Sequence, residues 1–253
     1  MRSVLAVGGS DSGGGAGLQA DLRTLAACGV HGTSVVTAVT AQDSTAVHGT
    51  WELPTEAVVA QLRAVLTDLR PDVVKTGMLA NERAVMAVAE LTVDLPLVVD
   101  PVGTSSTGQR LLSSRGLDAL REHLLPLATV VTPNLAEVQA LTGVVVRDAD
   151  DLLTGARAVR ELGPRWVLVT GGHLPGSPDD LLWDGHDAHW LRGTRVASRH
   201  DHGTGCTLAS ALAARMALGD DVPTAARAAK AFVAGALARG YAMGVGPGPV
   251  RQV

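Results

Sequence analysis

Aromatic side chains are scarce in this chain, with one Tyr, one Phe and four Trp among 253 residues. Stacking nucleic-acid bases takes aromatic platforms and a basic face. Neither is present, because the net charge is −4 and no Lys/Arg cluster occurs. Nucleic acid and membrane surfaces are therefore not expected partners. Cysteine is nearly absent too. Cys28 and Cys206 lie far apart and form no C-x-x-C, which reads as free thiols in a reducing compartment, so a cytoplasmic location is expected. No run nears the roughly eighteen apolar residues of a membrane span, and "MRSVLAVGG" is too short an apolar start for a secretory signal. Zinc-type Cys/His spacings are missing among the eight histidines, of which His48, His123 and His186 read as surface residues. A G-x-S-x-G elbow is missing as well, which argues against a hydrolase.

Hydrophobic residues, at 46%, and 29 glycines dominate what remains. Valine-rich segments at 3–9, 32–41, 72–78, 95–102, 128–134 and 165–172 read as strands buried on both faces. Helix-length segments alternate with them at 17–28, 54–70, 81–91, 114–125, 134–141 and 148–163. This rhythm implies βαβ units and a mostly parallel sheet. "DDLLWDGHDAHWLRG" (179–193) breaks it as a hairpin turning at Asp184-Gly185, and helices at 206–218 and 222–240 follow. No linker or repeat interrupts the chain, so one domain is expected over 1–253. Ligands of open parallel sheets bind beyond the strands' carboxyl ends. That rule selects Ser10-Asp11, Gln42-Asp43, Gly77-Met78, Asp100, Asn134 and Gly171-Gly172.

Three motifs carry chemistry. "GGSDSGGGAGLQAD" (8–21) contains G-x-G-x-x-A, the spacing of a dinucleotide fingerprint, but its loop is long for a Rossmann turn and no Walker lysine follows. "VVDPV" and "TPNLAEV" place Asp100 and Glu137 after successive strands, a carboxylate pair suited to Mg²⁺ and phosphate oxygens. The same Asn134 and Glu137 also suit a helix capping box. In "RHDHGTGCTLASALAARMALG" (199–219), glycines precede a helix start, an arrangement that draws anions and lowers a thiol's pKa at Cys206; simple packing is the alternative.

Taken together, "GSDSGGGAGLQADL", "TAVTAQ", "KTGML", "VVDPV", "TPNLAEV", "GGH", "HGTGCTLASALAA" and "GVGPGPV" match a known pattern in order over essentially the whole chain. The chain resembles the bacterial hydroxymethylpyrimidine/phosphomethylpyrimidine kinases, the thiamine-pathway branch of the ribokinase-like superfamily. The resemblance implies a single-domain, three-layer α/β/α ribokinase-like fold, use of ATP and Mg²⁺, a small pyrimidine substrate and a homodimer. It also implies phosphorylation of 4-amino-5-hydroxymethyl-2-methylpyrimidine and then of its monophosphate. By the same resemblance Gln42 reads the pyrimidine's amino group and ring nitrogen, while Asp21, Gly9 and Met78 enclose the ring. Asp100 and Glu137 belong to metal and phosphates, Asn134 and the Thr170, Gly171 and Gly172 run to the nucleotide. Gly203, Thr204, Gly205 and Cys206 belong to the transferred phosphoryl group, with Cys206 as the base.

Two departures from the family pattern stand out. Thr170 holds a position that is often Lys, and the "GTSSTGQ" loop (103–109) lacks a basic residue that Arg110 could replace. A pyridoxal or pyridoxine kinase of the same superfamily is one alternative, and a catalytically weak pyrimidine-binding paralogue is another.

Overall fold

Strands covered on both faces need apolar residues at every position, and their alternate side chains feed two separate cores. The computed structural model describes residues 1–105 and 108–253. Its β1 (Ser3–Asp11) follows that rule: Leu5 and Val7 enter one core, Val4 and Ala6 the other, all fully buried. The remaining strands are β2 (His31–Gln42), β3 (Val47–Glu52), β4 (Val73–Thr76), β5 (Leu97–Val99), β6 (Val130–Val131), β7 (Trp166–Val169), β8 (Asp180–Trp183) and β9 (Ala188–Leu191). All nine lie in one sheet, in the order β3-β2-β1-β4-β5-β6-β7-β8-β9. From β2 through β7 the neighbours are parallel. β3 and the β8–β9 hairpin are antiparallel additions at the edges.

Helices α1 (Gly17–Ala27), α7 (Thr204–Ala217) and α8 (Val222–Ala238) cover one face. There Ala209, Ala211 and Ala213 of α7 and Ala225, Ala226 and Ala229 of α8 are buried, and such small residues let two helices approach closely. The other face carries α2 (Thr55–Ala64), α3 (Glu82–Leu91), α4 (Ser114–Ala119), α5 (Leu135–Thr142) and α6 (Ala149–Arg160). This is the three-layer α/β/α arrangement. Side-chain caps start several of these helices: Asn81, Asp148 and Asp221 each accept from first-turn N–H groups. The hairpin turns at Gly185, whose φ of 105° is open to glycine.

β3 is an addition to the sequence-based expectation. Its "VHGTWE" is mostly exposed or half-exposed, so it lacks the apolar run that marks the inner strands. Of the 103–109 loop, residues 106 and 107 lie outside the described residues. Among the described residues no helix is long and apolar enough to cross a membrane.

β1 sits between β2, which follows it, and β4, which the chain reaches only after β3, so the direction in which strands are added reverses at β1. Such a switch point opens a crevice at the strand's carboxyl end. The glycine-rich loop lies there.

Candidate active site

Asp11 builds the glycine loop. Its carboxylate accepts from the backbone N–H groups of Gly13 (2.8 Å), Gly15 (3.0 Å) and Ala16 (2.8 Å), winding the loop around one anionic centre. Burial works to raise the Asp11 carboxyl, and the bonds from His202, Ala16 and Gly13 outweigh it, so its pKa lies below the usual value. Two glycines are obligatory here. Gly17 has φ 55°, and a Cβ would stand 2.5 Å from the Gly9 carbonyl oxygen. Gly203 has φ 87°, and a Cβ there would collide with the Gly15 carbonyl. The starts of α1 and α7 are thereby pressed side by side, with the N–H ends of both helices together.

Gln42 ends β2 beside this junction. Its Nε2 is 3.3 Å from His202 Nε2, and its Oε1 is 3.2 Å from Thr40 Oγ1. Met78 lies over Gly9, whose Cβ position is 2.8 Å from the Met78 Sδ, and joins Ala38, Ala80, Val102 and Leu111 in a small apolar cluster. Ala80 holds φ 68°, an unfavourable conformation for a residue with a Cβ, where the loop after β4 bends into α3. Gln42, Gly9 and Met78 thus offer polar and apolar contacts at one strand-end crevice.

Asp21 is elsewhere. Its side chain is fully buried, with Oδ1 accepting from Lys75 Nζ and Ser210 Oγ, both at 2.8 Å, and Oδ2 has no partner. A carboxylate closed off this way cannot touch a ring, so the expected role of Asp21 in enclosing substrate is corrected: it is the counter-ion of Lys75. Burial works against the Lys75 charge, the Asp21 carboxylate outweighs that, and the ammonium sits above the usual lysine range. The ammonium is close under the loop, 3.1 Å from the Cβ position of Gly77.

Cys206 overturns a second expectation. Placed in the first turn of α7, its thiol should be acidified; instead its pKa is pushed up to about 12. Burial is the largest cause, and the Asp21 and Asp100 carboxylates add to it against Lys75 and a hydrogen bond from the Gly17 N–H. The thiol remains protonated at neutral pH and ties α7 to the first residue of α1. The Thr204 N–H is bonded to the Asp201 carbonyl at 3.2 Å, so the Gly205 and Cys206 N–H groups form the open part of the turn.

Asp100, at the end of β5, lies 3.9 Å from the Cβ position of Gly205. Burial raises it to about 6, with Lys75 working the other way and Asp21 adding to the rise. Glu137 is raised well above the carboxylate range, first by desolvation and then by Asp100. It also completes the capping box of α5: Glu137 Oε2 accepts from the Asn134 N–H at 2.8 Å, and Asn134 Oδ1 from the Glu137 N–H at 3.0 Å. Asp100 thus raises the proton affinity of Glu137, a repulsion that a cation would relieve. Among the described residues no group of three His, Cys, Asp or Glu could hold a metal alone. A divalent ion here would therefore draw further ligands from phosphate or water, as Mg²⁺ does.

Asn134 forms a bridge with Thr170, placing the ends of β6 and β7 side by side. The Gly171 N–H donates to Asp180 Oδ1 at 3.0 Å, and Asp180 is paired with Lys230 at 2.7 Å. Arg195 fastens the loop that follows, donating to the carbonyls of Gly172, Leu174 and Gly176. Arg110 is exposed. The C-terminal tail crosses the site from behind: the Gly246 N–H bonds Ser44, the Gly248 N–H bonds His200, and the Val250 N–H bonds the His202 carbonyl.

Sequence reasoning passed over Lys75, His202 and the organising role of Asp11. Lys75 left a signal, an isolated lysine inside "VVKTG", because a charge in a central strand demands a partner.

The family model described as phosphomethylpyrimidine kinase matches residues 11–251. A hydroxymethylpyrimidine/phosphomethylpyrimidine kinase of Streptomyces coelicolor is 58% identical over 98% of this chain and 93% of its own. Among solved structures, the pyridoxal kinase of Bacillus subtilis in complex with ADP superposes with a TM-score of 0.92 at 34% identity, over 100% of this chain and 97% of that one. A phosphomethylpyrimidine kinase of Clostridium difficile superposes at 0.81, also at 34% identity, over 92% of this chain and 98% of that one. Backbone shape follows both kinases, each at 34% identity, whereas the 58% identity is to the Streptomyces enzyme.

Proposed function

Because the chain belongs to the phosphomethylpyrimidine kinase family, we propose that it moves the γ-phosphoryl group of ATP onto 4-amino-5-hydroxymethyl-2-methylpyrimidine and then onto the monophosphate, for thiamine diphosphate synthesis. The observation that supports this at residue level is one run of neighbouring groups. Gln42 meets His202 at the start of α7, Gly205 of α7 meets Asp100, and Asp100 acts on Glu137. In this reading ring recognition, anion binding and a cation-seeking carboxylate pair share the carboxyl ends of the inner strands.

In the proposed reaction Gln42 pairs with the aminopyrimidine edge, one amide group donating and the other accepting. Gly9 and Met78 pack on the ring. The substrate oxygen attacks the γ-phosphorus, its bond to the β-phosphate oxygen breaks, and ADP leaves. N–H groups of Gly205 and Cys206, on the turn set by Gly203 and Thr204, receive the charge on the transferred group. Lys75 adds fixed positive charge beneath it. Asn134, Thr170, Gly171 and Gly172 line the nucleotide side. Mg²⁺, held by Asp100 and Glu137, would neutralise charge on the nucleotide phosphates. In the alcohol step the hydroxyl proton passes to the phosphoryl oxygens or to water, because a thiol that keeps its own proton cannot take another; Cys206 is left a shaper of the anion site.

The test is ADP release measured with the pyrimidine alcohol, its monophosphate and pyridoxal side by side. Turnover of both pyrimidines above pyridoxal supports the proposal. Preference for pyridoxal favours the second reading, a pyridoxal kinase of the related family, and pyrimidine binding without ADP release would mark a binding paralogue. One kinase domain over 1–253, in the cytoplasm, suits this activity. A homodimer is also proposed, with the exposed cross-strand pair Val39 and Trp51 at the sheet edge as its contact. Trp51→Glu should then yield monomers in sedimentation.

A further inference from the structure

Hydrogen-bond valence around Gln42 is overcommitted. His202 Nε2 is within reach of both Asp11 Oδ2 (3.2 Å) and Gln42 Nε2 (3.3 Å). Asp11 is an ionised acceptor that already gathers three backbone N–H groups, so the His202 nitrogen facing it has to carry a proton. An amide NH₂ beside that N–H sets donor against donor. On the amide's other side, Thr40 Oγ1 has one proton and a nearer acceptor, the Ser10 carbonyl at 3.0 Å, than Gln42 Oε1 at 3.2 Å. There the amide oxygen faces a spent hydroxyl. Both conflicts vanish when the amide turns by half a rotation, since amide orientation follows from the surrounding network.

The imidazole itself has little freedom to resolve the conflict. A Cβ on Gly15 would run into its Cδ2 edge, the His202 N–H and carbonyl are bonded to Gly248 and Val250 of the tail, and the side chain is 16% exposed. Exchanging ring edges would put carbon against Asp11.

Resting on Gln42 as the reader of the ring, we propose that His202 is a specificity-determining positioning residue. By sharing its one Nε2 proton between Asp11 Oδ2 and the Gln42 oxygen, in a three-centre bond, it fixes the amide with Oε1 toward His202 and Nε2 toward Thr40. The remaining lone pair and N–H then present a fixed acceptor–donor order to the substrate. An aminopyrimidine binds with its amino group on the His202 side and its ring nitrogen on the Thr40 side. A ring lacking the amino group leaves the amide oxygen without its donor and is discriminated against.

Two experiments test this. In the unaltered enzyme, ¹H–¹⁵N correlation spectra of the histidine rings should show His202 Nε2 protonated; an unprotonated Nε2 overturns the proposal. In steady-state assays, kcat/KM is compared for the aminopyrimidine alcohol and for 5-hydroxymethyl-2-methylpyrimidine, which lacks the amino group. His202→Phe should shrink that preference by about tenfold with the KM for ATP unchanged, and His202→Gln, which can still donate to Asp11, should regain part of it. A preference that survives in His202→Phe, or a loss shared equally by both alcohols, refutes the role. Failure of the underlying reading looks different: Gln42→Leu would itself keep the amino preference, and the proposal would fall with it.

Discussion

Removing the Lys75 ammonium while leaving its partner should be among the most damaging single changes in this protein. Lys75 and Asp21 are 1% and 0% exposed as side chains, so Lys75→Met strands a carboxylate in the core. Breaking one side of a buried pair costs about 3–5 kcal/mol. The Ser210 bond to Asp21 at 2.8 Å survives, which places the loss toward the lower end. At about 2–4 °C per kcal/mol for a chain of this size, the melting temperature should drop by roughly 6–20 °C. Neutralising both partners, as Lys75→Met with Asp21→Asn, removes the stranded charge and should recover at least about half of the loss. Urea unfolding of the four proteins in the cycle gives the coupling directly. The reasoning is refuted if Lys75→Met costs under about 1 kcal/mol, or if the double variant is no more stable than the single one. Phosphoryl transfer should stay slow even in the restored double variant, because fixed charge beneath the anion site is gone.

Metal-free enzyme at pH 8 should resist iodoacetamide at Cys206, which at a pKa of about 12 holds on the order of 10³-fold less thiolate than a free cysteine. The folded thiol keeps a proton that the unfolded one gives up, so its contribution to stability should fall as pH climbs from about 9 toward 12; rapid labelling at pH 8 refutes the burial argument. Cys206→Ala separates roles: an equal fall in both phosphorylation steps marks anion-site shaping, whereas a loss confined to the alcohol step restores the base. Glu137→Gln should leave melting within about 2 kcal/mol of stability while raising the Mg²⁺ needed for half-maximal turnover; normal activity with lowered melting would reduce Glu137 to a cap. Thr170→Lys should raise the rate with the monophosphate more than with the alcohol, and no gain means that another cation already serves.

Near-neighbour features were legible in the sequence. The apolar strands, the Asp184-Gly185 turn and the Asn134–Glu137 cap all follow from residues a few positions apart, where periodicity and capping act. Edge strand β3 was not legible, because half-exposed residues carry little hydrophobic pattern. Asp21 was misplaced since its partner is 54 residues away, and the Asp11–His202 contact spans 191. Only the folded sheet brings such pairs together. Cys206 failed for a different reason. Its helix position favours a thiolate, but desolvation and two carboxylates are stronger, and both are set by tertiary packing.

Lys75 and Lys230 are the only lysines in the sequence, and each is committed to an aspartate. Every other basic side chain apart from histidine is arginine, which amine-directed reagents leave alone. Acylating reagents should therefore find almost nothing on the outside of the folded molecule beyond its amino terminus. Lys75 becomes reachable only when the sheet parts from α1 and α7. Its acylation rate is thus a built-in clock for global opening, readable by peptide mass without any engineered probe.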